Sequence, residues 1–317
     1  MTKARENSDY TGLAADIVAG DTAARAGRKN ILINGSFRVS QRGDYTSATS
    51  ATHAIYMLDR WRGSISPAST IQNLGGYIEL KATSAATGSV RVHQKIEDLY
   101  LLEGQTVTVS CEMKSNTANG RLQMHNGSWV ADNASHTGGG DWETLSFTVS
   151  MPSSLSVTSI QVGIDGVSSA NVPIAVGDYC QIKNVQLELG SVATDFEHRS
   201  YGEELALCQR YFEVLTDPKF RGLESATKVA QRMGVTYKTT KRTNPSVTLV
   251  GTLRVFNGGG VTTLTASNIS STWATIDTFE FDSNADSTGG SAQGNASIAY
   301  TLTPGSPEAW LHVDAEL

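Results

Sequence analysis

Trp129 and Trp142 flank a polar, glycine-rich stretch that carries Asp132, His136 and Asp141, with Asn126 just before it. An indole offers a flat apolar surface on which the C–H side of a sugar ring can stack. Amides, carboxylates and imidazoles at loop tips can then hold the sugar hydroxyls. A similar grouping recurs late in the chain, where Trp273 is followed by Asp282 and Asp286. Asn126, Trp129, His136, Asp141, Trp142, Trp273, Asp282 and Asp286 are therefore the candidate glycan contacts. The competing reading places the tryptophans in the core or at a sheet edge.

Catalytic signatures come up short. The histidines, at 53, 93, 125, 136, 198 and 312, show no H-E-x-x-H spacing, and no C-x-x-C occurs, so no metal site is assigned. No G-x-S-x-G elbow is present. The glycine runs 138–140 and 258–260 do not open helices and read as hairpin loops. No catalytic residue and no cofactor are expected. Three cysteines, Cys111, Cys180 and Cys208, are too few for a disulfide framework and fit synthesis in a reducing cytosol.

The elements that must position these residues are strands. The chain has 317 residues with only 18% charged, and Gly, Ser, Thr, Ala and Asn are abundant, which suits short strands and many turns. A net charge of −6 argues against a nucleic-acid binder. No apolar run approaches the ~20 residues that span a bilayer, and the N-terminus lacks the apolar core of a secretory signal.

Four segments follow. Residues 1–29 are polar, with no strand pattern, and read as an attachment segment. Residues 30–199 read as a β-sandwich, because 106–114, 145–151 and 160–164 alternate apolar and polar residues. In its last strand Cys180 and Ile182 share one parity while Val185, Leu187 and Leu189 share the other, which predicts a β-bulge near Lys183–Asn184. Residues 200–218 read as a helical neck. Ser200 and Glu203 form a capping box, and Leu205, Cys208, Phe212 and Leu215 are spaced as a coiled-coil seam. Residues 219–317 read as a second β domain, with strand patterns at 245–250, 275–281, 297–302 and 310–317. Between Lys219 and Arg242 lie seven basic residues and one acid; after Arg254 there are seven acids and no Lys or Arg. That division predicts a cationic and an anionic end. The expected fold class is all-β: two jelly-roll-like sandwiches joined by a short amphipathic helix.

Several blocks carry a family resemblance. They are Asn30–Gly43 with Asp59-Arg60-Trp61, the stretch Gln94-Lys-Ile-Glu-Asp98 leading to Val107, the junction Asn184–Glu213, and the closing Asp314-Ala-Glu-Leu317. Together they resemble tail-fibre and receptor-binding proteins of tailed bacteriophages, and the first block resembles the opening of carbohydrate-binding-module-like jelly rolls. The resemblance implies a virion tail protein made in the host cytoplasm. It implies a homotrimer, held partly by the neck unless that helix packs on its own domain, attached through residues 1–29 to other tail or baseplate proteins, whose distal loops bind a host surface polysaccharide or protein receptor. Candidate recognition loops are 257–260, 268–273 and 282–295. Related modules hold a structural calcium ion with an acid just after the N-G-x-F turn; Arg38 stands there in this chain, so calcium is not carried over. The alternatives are a glycan-degrading depolymerase and a purely architectural tail or capsid decoration protein.

Overall fold

A computed structural model describes residues 29–125, 130–156, 158–167, 170–216, 220–223, 231–257, 260–266, 269–283, 296–300 and 310–316. The expected attachment segment lies outside the described residues, except for Lys29. The chain is mostly β, in antiparallel sheets that form sandwich-like folds. It divides into two compact units. The first takes residues 29–38, 45–57 and 61–199, and the second takes 39–44, 58–60 and 200–316. Among the described residues, no helix is long and apolar enough to cross a membrane.

The strands of the first unit are β1 (Thr49–Ser50), β2 (Tyr56–Leu58), β3 (Trp61–Ser66), β4 (Ser69–Asn73), β5 (Ile78–Ala82), β6 (Ala86–Lys95), β7 (Thr106–Ser115), β8 (Gly120–His125), β9 (Val130–Ser135), β10 (Trp142–Ser150), β11 (Ser159–Ile164), β12 (Val172–Ile174) and β13 (Tyr179–Leu189). One sheet runs β1-β4-β5-β13-β7-β10. The other runs β2-β3-β6-β11-β8-β9, with β12 added to β6. Alternation decides which side chains turn inward. Val107, Val109, Cys111 and Met113 from β7 and Val90, Val92, Leu122 and Val162 from the second sheet are all buried. Each such aliphatic residue contributes about 1.5–3 kcal/mol. The three cysteines are free and buried, as small apolar residues would be.

The bulge lies where the parity change predicts it. β13 follows β7 up to Lys183↔Glu112, shifts register, and resumes at Gln186↔Ser110. Asn184 takes a positive φ of 54° there, a region asparagine tolerates better than most residues. The shift keeps Cys180 and Ile182, and then Val185 and Leu187, in the core, while Leu189 emerges at 41% exposure.

The opening segment is less regular than its apolar pattern suggests. Residues 30–33 form no continuous ladder; the Asn30 side chain bridges instead. Its Oδ1 accepts from the backbone of Leu32 (3.0 Å) and Leu187 (3.1 Å), and its Nδ2 donates to the Val185 carbonyl (3.0 Å). Gln94, 2% exposed, does the same for Ile33, accepting from its N–H (2.9 Å) and donating to its carbonyl (2.7 Å). Gly35 is required because a Cβ there would lie 2.1 Å from the Val185 carbonyl oxygen. Arg199 donates to the carbonyls of Leu32 (3.0 Å) and Asn30 and pairs with Glu197 at 3.3 Å, tying the two ends of the unit together.

The second unit begins with the helix α1 (Tyr201–Gln209). Ser200 caps it by accepting from the Glu203 N–H. The helix is shorter than the seam spacing implied, and this corrects the neck. Phe212 and Leu215 are not on it. They belong to β14 (Phe212–Thr216), which pairs with β23 (Trp310–Asp314). The run Tyr211-Phe-Glu-Val-Leu-Thr216 suits a strand, and its partner lies about a hundred residues on in sequence, where spacing alone could not place it. Leu205 is half-buried, and Cys208, Phe212 and Leu215 are buried. The remaining strands are β15 (Phe220–Leu223), β16 (Gln231–Thr236), β17 (Ser246–Val250), β18 (Leu253–Asn257), β19 (Gly260–Leu264), β20 (Ile269–Ala274), β21 (Thr278–Ser283) and β22 (Ala296–Tyr300). They form the sheets β14-β23-β17 and β19-β18-β22-β15-β16-β21-β20, around a core that includes Leu249, Leu253, Phe279, Phe281, Leu311 and Val313. The basic and acidic runs interleave: β16 pairs with β21, which carries Glu280 and Asp282.

Residues from the first third of the sequence complete this unit, correcting the simple boundary at residue 199. Arg42 pairs with Asp314 (3.1 Å) and Glu316 (3.0 Å), and Arg60 pairs with Glu316. The two guanidiniums lie over Phe212 (3.7 Å) and Tyr211 (3.6 Å), respectively. Asp59, fully buried, accepts from the Gln41 N–H (2.6 Å) and side-chain amide (2.7 Å). Burial pushes its carboxyl above the ordinary range despite those bonds.

Candidate functional site

The outer face of the six-stranded sheet is set by register. Trp142 pairs with Lys114, Lys114 with Gln181, Gln181 with Glu79, and Glu79 with Gln72. These five therefore form one row of side chains across β10, β7, β13, β5 and β4. Met113, Ile182, Ile78, Leu80 and Ile71, next to them in sequence, are buried in the core, which turns the row outward. The bulge enriches the adjoining row. It delivers both Lys183 and Asn184 to one carboxylate: Lys183 Nζ lies 2.8 Å from Glu112 Oε2, and Asn184 Nδ2 donates to Oε1 at 2.7 Å. Re-aiming a side chain is a regular use of a bulge.

Trp142 stands over this array, 39% exposed. The Lys183 ammonium lies 4.5 Å from its ring centroid, and Tyr77 meets it edge to face at 5.6 Å and 89°. Gln181 Nε2 donates to Glu79 at 2.7 Å. Partial burial opposes ionisation of Glu112, but the bonds from Lys183 and Asn184 outweigh it and hold the carboxyl below its ordinary value. The result is an aromatic platform edged by amides and by a fixed ammonium–carboxylate pair. It can take a sugar ring against the indole and offer donors and acceptors to the hydroxyls.

The other expected contacts fare differently. Asn126 and Trp129 lie outside the described residues, as does Asp286. His136 is 1% exposed and braces its own loop. Its Nδ1 accepts from the Gly138 N–H (2.8 Å), which leaves the proton on Nε2, and Nε2 donates to the Asp141 carbonyl (2.9 Å). Its role as a glycan contact is thereby corrected to loop support. Asp141 is exposed beside Trp142. In the second unit, Trp273 (40% exposed) and Asp282 sit on strands rather than loop tips: Trp273 pairs with Glu280, and Ser271 with Asp282. Tyr77, Lys183, Glu112 and Gln181 did not emerge from the sequence as candidates. The signals for them were the polar parity of β7 and the bulge, which told where the outer face lay but not that Tyr77 would reach it.

Among the described residues, no group of three or more His, Cys, Asp or Glu is arranged to hold a metal ion. No protein-family profile matches this sequence, and no curated protein does. Solved structures similar to it include one presented as "CBM4 structure and function", 17% identical with a TM-score of 0.32, covering 50% of this chain and 98% of that one. The enzymatically active domain of tailspike protein 4 of bacteriophage CBA120 is 14% identical with a TM-score of 0.32, covering 51% of this chain and 21% of that one. The tripod from the baseplate of bacteriophage Tuc2009 is 17% identical with a TM-score of 0.32, covering 55% of this chain and 59% of that one. Likeness at this level assigns no activity.

Proposed function

We propose that this protein is a non-catalytic tail-fibre or receptor-binding component of a tailed bacteriophage. It attaches the particle to a glycan on the host surface, and the outer face of the six-stranded sheet makes sugar contact. The observation that carries the reading is the platform of Trp142 and Tyr77 with Lys183, Glu112 and Asn184 gathered beside it by the bulge. The resemblance of the sequence blocks supplies the biological setting: a tail protein, held to its neighbours through residues 1–29. Multivalency would make weak single sites effective, since each further contact is intramolecular after the first. A homotrimer belongs to this proposal through the resemblance alone, because the helical seam that motivated it is divided between α1 and β14. Light scattering of the purified chain decides the oligomeric state.

The test is competition. Purified protein should bind host-surface polysaccharide and block adsorption of the phage that carries it. Trp142→Ala combined with Lys183→Ala should weaken binding roughly tenfold or more while leaving thermal unfolding nearly unchanged. Release of reducing ends from the polysaccharide would identify a depolymerase instead. Adsorption insensitive to the protein would identify an architectural component.

A further inference from the structure

The second sheet of the first unit has an outer face of another character. Arg62, His93, Gln161, Gln123 and Asn133 form one row across β3, β6, β11, β8 and β9. Ser64, Arg91, Gly163, Arg121 and Ser135 form the next. Their sequence neighbours Val90, Val92, Val162 and Leu122 are buried in the core, so both rows face outward. Gly163, at φ 149°, leaves the middle of the second row without a side chain, because a Cβ there would lie 2.4 Å from the Val90 carbonyl oxygen. The gap is flanked by Arg91 and Arg121. A glycine in a strand interior marks such close approaches.

Donors and an acceptor remain open around that gap. The Gln123 Nε2 donates to Asp165 Oδ2 at 2.8 Å. Asp165 is a carboxylate acceptor, which fixes the orientation of the amide. Gln123 is 1% exposed, and its Oε1 has no hydrogen-bond partner among the described residues. Arg91 pairs with Asp165 through Nη1, and its buried Nε has no partner there either. Arg121 uses Nε on the Asp165 carbonyl (3.0 Å) and Nη1 on Asn133 (3.1 Å) and Ser135, so Nη2 is uncommitted among the described residues. Among the described residues, Arg62 uses Nε alone, on the Ala54 carbonyl (3.1 Å). Arg91 thus meets the Asp165 carboxylate and Arg121 its backbone carbonyl, and burial pushes that carboxyl upward even beside Arg91. His93 registers the same field. Burial first, and then the charges of Arg62, Arg91 and Lys95, bring its pKa down to about 4, so the ring is neutral at pH 7.

We propose that this face is a second binding site, for an acidic saccharide, whose anionic group is taken by Arg121 beside the Gly163 gap, with Arg62 across the sheet adding to the cationic field, and whose hydroxyl donates to Gln123. Guanidinium forks suit carboxylate and sulfate geometry, and an unpartnered buried acceptor calls for a donor on the same ligand. The inference shares no side chain with the Trp142 platform and stands without it.

The probes are tri-galacturonate, the neutral maltotriose and a short duplex DNA, each titrated into the full chain by calorimetry at low and high salt. Tri-galacturonate should bind roughly tenfold or more tighter than maltotriose, and salt should weaken it. Arg121→Gln and Arg62→Glu should each cut that affinity roughly tenfold, while Trp142→Ala leaves it unchanged. Arg62 lies half-buried at one end of its row, so its charge reversal keeps the test open if Arg121→Gln fails to fold. Equal affinity for the two saccharides, indifference to both arginine variants, or DNA binding as tight as tri-galacturonate would each overturn the assignment. Loss of affinity on Trp142→Ala with both arginine variants silent would place the acidic sugar on the first face instead.

Discussion

On the first unit, Lys183 and Glu112 meet on an outer sheet face, with side chains 30% and 36% exposed. In the second, Lys241 and Glu213 meet at 2.5 Å with neither side chain exposed at all. Lys241 also donates to the Gln209 carbonyl (2.6 Å), and Glu213 accepts from the Lys238 N–H at 3.2 Å. The same pair of residue types thus does two jobs. The exposed pair gains little stability from its attraction, since water screens it, but it stays available to a ligand. The buried pair offers nothing to a ligand and is costly to break, since either partner alone would be a charge without compensation.

The sharpest way to break this comparison is to remove one partner of the buried pair. Lys241→Met should destabilise the second unit by about 3–5 kcal/mol in chemical denaturation. The double variant Lys241→Met with Glu213→Leu should recover most of that loss, because burial already opposes the Lys241 charge. A single variant as stable as the parent would mean that the pair is not isolated from water.

The second effect is acid sensitivity in the first unit. His93 is pushed down to about 4 by burial and by its cationic neighbours, whereas the unfolded chain protonates near pH 6.5. Between those values the unfolded state takes up the proton first, so stability falls as pH drops from 6.5 towards 4 and is unaffected above that window. The loss attributable to His93 reaches up to about 3 kcal/mol. His93→Gln should flatten the pH dependence of stability in this window, and an unchanged profile would remove His93 from the account.

Next comes the ion cluster that closes the second unit. Glu316→Gln keeps the shape of the side chain but withdraws the charge facing Arg42 and Arg60. Hydrogen bonds to charged groups contribute about 1.5–3 kcal/mol, and the loss should be of that size, read by denaturation and increased little by also replacing Asp314. This cluster explains something the sequence displayed without explaining. The blocks that carry the family resemblance contribute Arg42, Arg60, Tyr211 with Phe212, and Asp314 with Glu316. All of them meet in one unit. In this chain these blocks therefore share a packing reason, independent of any receptor.

That convergence also shows where sequence reading stops. Strand patterning found β7, β10, β11, β13, β17, β21, β22 and β23, and in β7, β10 and β23 the alternation matches one buried face. The bulge was legible because a single parity change has one physical remedy. The helix end was not. Leu205, Cys208, Phe212 and Leu215 satisfy a helical spacing, and only the distant strand Trp310–Asp314 turns the second half of that run into β14. Nor could spacing show that residues 39–44 and 58–60 fold with a unit beginning at residue 200. At the site, Trp142 was a candidate with a core position as its rival, whereas Tyr77 and Lys183 depend on which strands are neighbours. His136 misled because a histidine in a glycine-rich loop reads as a ligand contact until its two nitrogens are found in use.

The smallest effect tests the exposed side of the comparison most directly. Lys183 touches both Trp142 and Glu112, so its own replacement mixes two losses. A double-mutant cycle between Lys183→Met and Trp142→Leu isolates the cation–π part, which should be about 0.5–1 kcal/mol at this exposure. The same cycle performed on glycan affinity should give a larger coupling than on stability, if the ammonium is held over the indole to orient a bound ring as well as to pack against it. A coupling confined to stability would make the Lys183–Trp142 contact a surface ornament of the fold and would leave Trp142 alone as the sugar platform.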